Sequence, residues 1–168
     1  MDNVKPSLTI KKETIDYFLE FGALIVLIAT WGFTIYHFNK LPGIIATHFD
    51  VNGNPNGFGS KFTIWLLPVI ISLVYILIYV LNRYPHRFNY LSTITEQNAH
   101  KQYKLASRMM RILLFNITVL FAYITFKEIE GAYTKSSALE WWFIPLLLGS
   151  TIIHTFYMII TSGSKKYR

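Results

Sequence analysis

The chain has 168 residues and not one cysteine. That excludes a disulfide framework, thiolate metal sites and thiol nucleophiles. Charge is scarce too: charged residues make up 15% of the chain against 52% hydrophobic, with a mean hydropathy of +0.35. A soluble domain carries roughly 25% charge, so too little is present here to coat a water-facing surface. Acidic residues are the rarer sign, nine against sixteen Lys and Arg. Such a balance would suit nucleic acid if it formed a patch on a soluble fold. Here the basic residues lie between long apolar runs, so the expected partner is a lipid bilayer and not nucleic acid. The first sixteen residues hold Lys5, Lys11, Lys12, Glu13 and Asp16 and no apolar stretch, so no cleaved leader is expected.

What is abundant is uncharged apolar sequence. Four windows are free of charge: 21–39, 62–82, 112–126 and 141–164. A hydrocarbon core of about 30 Å needs about 20 helical residues. The first, second and fourth windows meet that length. The third does so once Met109 and Met110 are added, with Arg108, Arg111 and Lys127 snorkelling to the headgroups. The expected fold is an all-α integral membrane domain covering 1–168, with helices near 17–38, 62–81, 109–126 and 141–161. Twelve basic residues fall on the side of the termini and the 82–108 loop, and four (Lys40, Lys61, Lys127, Lys135) on the other. The positive-inside rule then makes both termini cytoplasmic, in a multi-pass plasma-membrane protein. Trp141 and Trp142 anchor the outer interface, and Tyr17, Tyr84 and Tyr167 the inner one.

The connectors differ in kind. The outer loop 40–61 is rich in Gly and Pro. Within it, period-two alternation puts Ile45, Thr47, Phe49 and Val51 on one face and Ala46, His48 and Asp50 on the other. The run Asn52-Gly53-Asn54-Pro55-Asn56-Gly57 supplies a turn that closes a hairpin against 58–62. On the inner side, Thr93-Ile94-Thr95-Glu96 reads as a capping box, so the third helix should begin there and project well below the membrane.

Two strings are specific enough to carry a resemblance: Leu41-Pro42-Gly43-Ile44-Ile45-Ala46-Thr47-His48-Phe49-Asp50, and Gly53-Asn54-Pro55-Asn56-Gly57-Phe58-Gly59-Ser60-Lys61. They resemble the loop of a bacterial membrane domain of unknown function, patterned LP…I..HF…G..D.WGSK after its first helix. That domain also forms the N-terminal part of SdpI-like proteins, named for an immunity protein that protects a bacterium from its own secreted toxic peptide. Pro68 in the next helix and the Asn82-Arg83-Tyr84-Pro85 exit are similar as well. Asn56 and Phe58 stand where the family carries an acidic residue and Trp, and this chain has four helices where full SdpI-like proteins have more. The resemblance implies a non-enzymatic immunity factor or sensor.

Candidate sites follow from residue chemistry. Leu41, Pro42, His48, Phe49, Asp50, Gly59, Ser60 and Lys61 shape an outer loop able to recognise an extracellular peptide or small ligand, or simply to cap the bundle mouth. His37, His48 and Asp50 share one side of the membrane and offer the ligands for an alternative, a metal-binding module or metal-dependent membrane enzyme, although a metal needs three or four donors. No cofactor is otherwise expected. Asp50, Asn52, Asn54 and Asn56 mimic a calcium loop, but Pro55 stands at the required glycine and Lys61 at the required glutamate, which excludes an EF-hand. At membrane depth, Asn116 and His154 invite an interhelical bond, to each other or from His154 to Tyr75. Glu20 should meet Arg83 or Arg108. Glu128, Glu130 and Glu140 read as a solvated outer rim. Lys101, Lys104, Arg108 and Arg111 follow a helical course suited to anionic headgroups or a cytoplasmic regulator. A further alternative is a structural subunit of a membrane complex. No G-x-S-x-G, HExxH or complete phosphate-binding glycine loop is present.

Overall fold

The computed structural model describes residues 5–50, 52–134 and 140–163. Val51, Lys135, Lys165, Lys166, Tyr167 and Arg168 lie outside the described residues. The elements in order are α1 (Thr14–Phe38), β1 (Ile44–Phe49), β2 (Pro55–Ser60), a 3₁₀ turn Lys61–Trp65 leading into α2 (Leu66–Leu81), α3 (Glu96–Thr134) and α4 (Phe143–Gly163). Four stretches, Thr14–Phe38, Lys61–Leu81, Glu96–Thr134 and Phe143–Thr161, are long and apolar enough to cross a membrane.

Their surfaces are inverted relative to a soluble bundle. Phe18, Phe21, Ile25 and Ile28 of α1 are exposed, whereas Thr30, Thr34, Ser107, Thr118 and Thr125 are buried. Apolar side chains outward and small polar ones inward is the arrangement that lipid selects, since lipid gives helices no hydrophobic reason to hide leucines. The buried hydroxyls of Thr34, Thr118 and Thr125 each donate to the carbonyl four residues back, at 2.8 Å. No polar hydrogen of theirs is left to hydrocarbon.

Helix α3 is the hub, packing against α1, α2, α4 and β1. Its 39 residues reach about 58 Å, far more than a bilayer core needs. It begins where a capping box closes, but two residues later than the sequence pattern implies: Thr95 is the cap, with Asn98 N bonded to Thr95 Oγ1 at 3.3 Å and Thr95 N to Asn98 Oδ1 at 2.9 Å. Asn98 competes successfully with Glu96 because its side chain also donates to Thr93 O, at 2.9 Å. Helix α2 is entered through the 3₁₀ turn, which places Pro68 in the first α-helical turn, where its missing N–H costs no helical bond. Helix α4 is attached through α3, by Asn116 Nδ2 donating to Ser150 Oγ (2.8 Å) and Thr151 Oγ1 (2.9 Å) and by the tilted contact of the Tyr123 and Phe143 rings.

The β1–β2 hairpin is antiparallel, with Ile44 opposite Ser60, Ile45 opposite Gly59 and Ala46 opposite Phe58. Its register slips at Thr47 and again after His48. The strict alternation expected from the sequence is therefore broken, and both Ile45 and Ala46 are buried. Ile45 joins Leu41, Ile64 and Ile129 in a cluster that seats the hairpin on α3 and on the ends of α1 and α2. Truncating Ile45, only 2% exposed, to alanine should cost about 2–5 kcal/mol. Ile45→Ala is expected to unfold at lower temperature in detergent and to be nicked faster in the 52–54 turn. Unchanged melting and cleavage would contradict the docking described here.

Candidate functional site

Two constellations stand at opposite ends of the bundle. At the hairpin end, the specific residues of the loop are engaged locally. Asp50 Oδ1 accepts from Asn52 N at 2.9 Å and Asn54 N at 2.8 Å, while Gly53 turns the chain with φ 81°. The carboxylate thus builds the turn. His48 sits exposed at the bulge, with Nδ1 hydrogen-bonded to Asn56 Oδ1 across the strands. Gly57 is required opposite His48, because a Cβ there would stand 2.9 Å from the His48 Cβ.

The base of the hairpin is closed by Lys61, whose Nζ donates to Phe38 O (3.3 Å) and Leu41 O (3.4 Å) and lies 4.9 Å above the Phe38 ring. A cation on the last carbonyls of α1 also complements the helix dipole. Ser60 caps the following 3₁₀ turn, Gly59 passes against Thr47, Leu41 is buried and Pro42 exposed. Ile44, Phe58 and Phe62, by contrast, are each about two-thirds exposed.

The hairpin-end histidines and acids do not converge. His37 Nδ1 bonds Tyr133 Oη at 3.0 Å, away from His48 and its Asn56 partner. Among the described residues, no three His, Asp or Glu side chains are placed to hold one metal ion. The glutamates expected to form a solvated rim are not simply solvated. Lys127, itself buried, pairs with Glu130 (2.7 Å) and Glu140 (2.9 Å), and Glu128 is buried. His154 faces outward from α4 and bonds its own helix at Ser150 O, 2.9 Å, not Asn116 or Tyr75. Asn116 instead ties α3 to α4, and Tyr75 Oη reaches Glu20 O at 3.4 Å.

At the other end lies a constellation of acids on α1 and bases on α3, where the sequence pattern pointed Lys104, Arg108 and Arg111 to anionic headgroups or a cytoplasmic regulator and Glu20 to Arg83 or Arg108. Glu13, Asp16 and Glu20 on α1 meet Lys104, Arg108 and Arg111 on α3. Arg108 bonds Glu13 (2.6 Å) and Asp16 (3.1 Å); Arg111 bonds Glu20 (2.7 Å) and approaches Asp16 (3.5 Å); Lys104 pairs with Glu13. Lys12 closes the set on Glu20 at 2.5 Å. Arg111, Asp16 and Glu20 are all under one-tenth exposed. The basic residues of α3 therefore turn inward, because three carboxylates at matching helical spacing lie opposite them. Glu20 meets Arg111 and Lys12, not Arg83 or Arg108. The signal was present as spacings of three and four residues on α1 and four and three on α3, but only the parallel packing of these two helices pairs them. Outside the spans, the bonds from Lys104 and then Arg108 hold the Glu13 carboxyl below the usual glutamate range.

Residues 25–72, from within α1 through the hairpin into α2, match the family described as a domain of unknown function (DUF1648). An uncharacterized protein of Archaeoglobus fulgidus is 30% identical over 74 residues, which cover 39% of this chain and 40% of that protein. The chain thus spans about two-fifths of the length of the curated relative it matches. No solved structure matches it.

Two outcomes test the network. Arg111→Met leaves Glu20 buried without its main partner and should cost about 3–5 kcal/mol, most of it recovered in Glu20→Met/Arg111→Met; chemical unfolding in detergent measures both. For Glu13, a lowered carboxyl value means that its stabilisation is present above the usual glutamate range and is lost as pH falls through the lowered value. The stability gap between the parent and Glu13→Gln should therefore persist at neutral pH and close only in strong acid. A gap that widens on acidification would contradict the pairing.

Proposed function

We propose that the protein is a non-enzymatic, multi-pass plasma-membrane protein of SdpI-like type, an immunity factor or sensor that recognises an extracellular peptide or small ligand through the β1–β2 hairpin. The observation that carries this reading is the hairpin's construction. It is seated on the bundle by Ile45 and Lys61, yet turns Ile44, Phe58, Phe62 and the bulged His48 outward. A short sheet held rigidly, with apolar and imidazole groups displayed and free strand edges, suits recognition of an extended peptide. Preorganisation of this kind lowers the entropic cost of binding.

The sidedness of the proposal rests on the excess of Lys and Arg at the end opposite the hairpin. Pairing several of them with acids does not weaken that argument, because the rule counts basic residues and is not a net-charge rule.

The experiment has two arms. With no native cysteine, Asn54→Cys should react in intact cells with a membrane-impermeant maleimide, and Gln97→Cys only after lysis. Expression in strains sensitive to secreted toxic peptides should raise survival against at least one peptide, with the gain reduced in His48→Ala and Asp50→Ala. Equal killing across the panel with and without the protein removes the immunity reading, and labelling only at Gln97→Cys inverts the topology.

A further inference from the structure

A cavity of about 470 Å³ opens at the end of the bundle opposite the hairpin, between the N-terminal arm, the end of α2 and the flank of α3. The arm is strapped over this region by Lys5 Nζ on Phe88 O (2.6 Å) and Tyr103 Oη on Pro6 O (2.9 Å). The cavity's walls include Lys12, Arg83 and Arg111, and Glu20 as the sole carboxylate among the described lining residues. Glu20 is already shared between Lys12 and Arg111.

Arg83 is different. Its Nη2 donates to Tyr79 Oη at 3.1 Å and its guanidinium lies 4.9 Å above the Tyr79 ring, so it is oriented, while no carboxylate among the described residues pairs with it. Tyr79 Oη, accepting from Arg83, keeps its own proton to donate. Two further wall atoms are buried and without partners among the described residues: Asn82 Oδ1 and Ser107 Oγ, the serine only 2% exposed. Buried polar atoms of that kind are ordinarily satisfied, and each one left open in a cavity wall marks a place for a ligand or water.

The balance of charge selects the ligand. Three cations against one shared carboxylate favour an anion, and a planar guanidinium beside a lysine favours tetrahedral phosphate oxygens. The cavity lies where α1 begins and α2 ends, at the level of the headgroups for helices of these lengths.

We propose that this cavity binds a phosphate ester, with Arg83 and Lys12 contacting the phosphate and Tyr79, Asn82 and Ser107 completing its hydrogen bonds. The phosphate belongs either to a phospholipid headgroup or to a soluble molecule. The site is independent of the hairpin and of whatever the hairpin recognises.

The test uses the full chain purified in an uncharged detergent. Dioctanoyl phosphatidylglycerol and inorganic phosphate are titrated separately while phosphorus NMR linewidths are read, and dioctanoylglycerol serves as a phosphate-free competitor. Saturable broadening is expected in at least one arm. Saturation by the lipid without competition from inorganic phosphate assigns the headgroup, and competition by inorganic phosphate assigns a soluble phosphate. Arg83→Gln should weaken binding about tenfold and Ser107→Ala about threefold. Arg83→Lys should restore part of the affinity, and Arg87→Gln, outside the cavity, should match the parent. Melting curves confirm that each variant is folded. No saturable broadening in either arm, equal affinity of the parent and Arg83→Gln, or displacement by dioctanoylglycerol would overturn the proposal.

Discussion

The constraint on which the structure depends is the burial of Arg111, Asp16 and Glu20 between α1 and α3. Charges removed from water at the edge of a bilayer are tolerated only when paired and hydrogen-bonded. Satisfying three carboxylates with Lys104, Arg108, Arg111 and Lys12 requires one rotation and one axial register of α1 against α3. A slip of one turn would leave Arg111 or Glu20 without its partner. Van der Waals packing alone specifies such a register weakly between helices whose outer faces are uniformly apolar. Gly22 contributes to the same contact, since a Cβ there would stand 3.0 Å from the Phe115 ring.

Once α1 and α3 are fixed, the remaining elements are placed by association with α3. Trp31 Nε1 donates to Ser72 Oγ at 2.9 Å and draws α2 onto α1, while Asn116 holds α4. The far end of α3 supplies Ile129 to the hairpin cluster. The two ends are therefore stabilised by different physics. One end is mainly electrostatic and encloses a polar cavity; the other is mainly apolar and aromatic, with the Phe38 and Trp31 rings both packed on Trp65, although Lys127 also pairs there with Glu130 and Glu140.

The four apolar helices, the hairpin between the first two and the long third helix were readable, because length and hydropathy act within each segment. The cap of α3 was readable to within two residues, since Thr93 and Thr95 are chemically equivalent and only Asn98 discriminates between them. The bulge at Thr47 was not, because alternation in seven residues cannot reveal which of them the opposite strand skips. His154 looked like an interior group by depth alone, and depth says nothing about which side of a helix faces its neighbour.

The sequence by itself determined which segments form helices long and apolar enough to cross a membrane, and that the region between the first two helices turns back on itself. These follow from apolar length, glycine, proline and backbone periodicity, all of them local properties. Only the tertiary structure decided that Arg108 and Arg111 serve α1 and not the headgroups, and that Asp50 and His48 are occupied within the hairpin. It also decided that Arg83, Asn82 and Ser107 border one cavity. Each of these depends on which residues, dozens of positions apart, share an interface. Charge pairing and cavity formation are properties of that interface, and no single segment carries them.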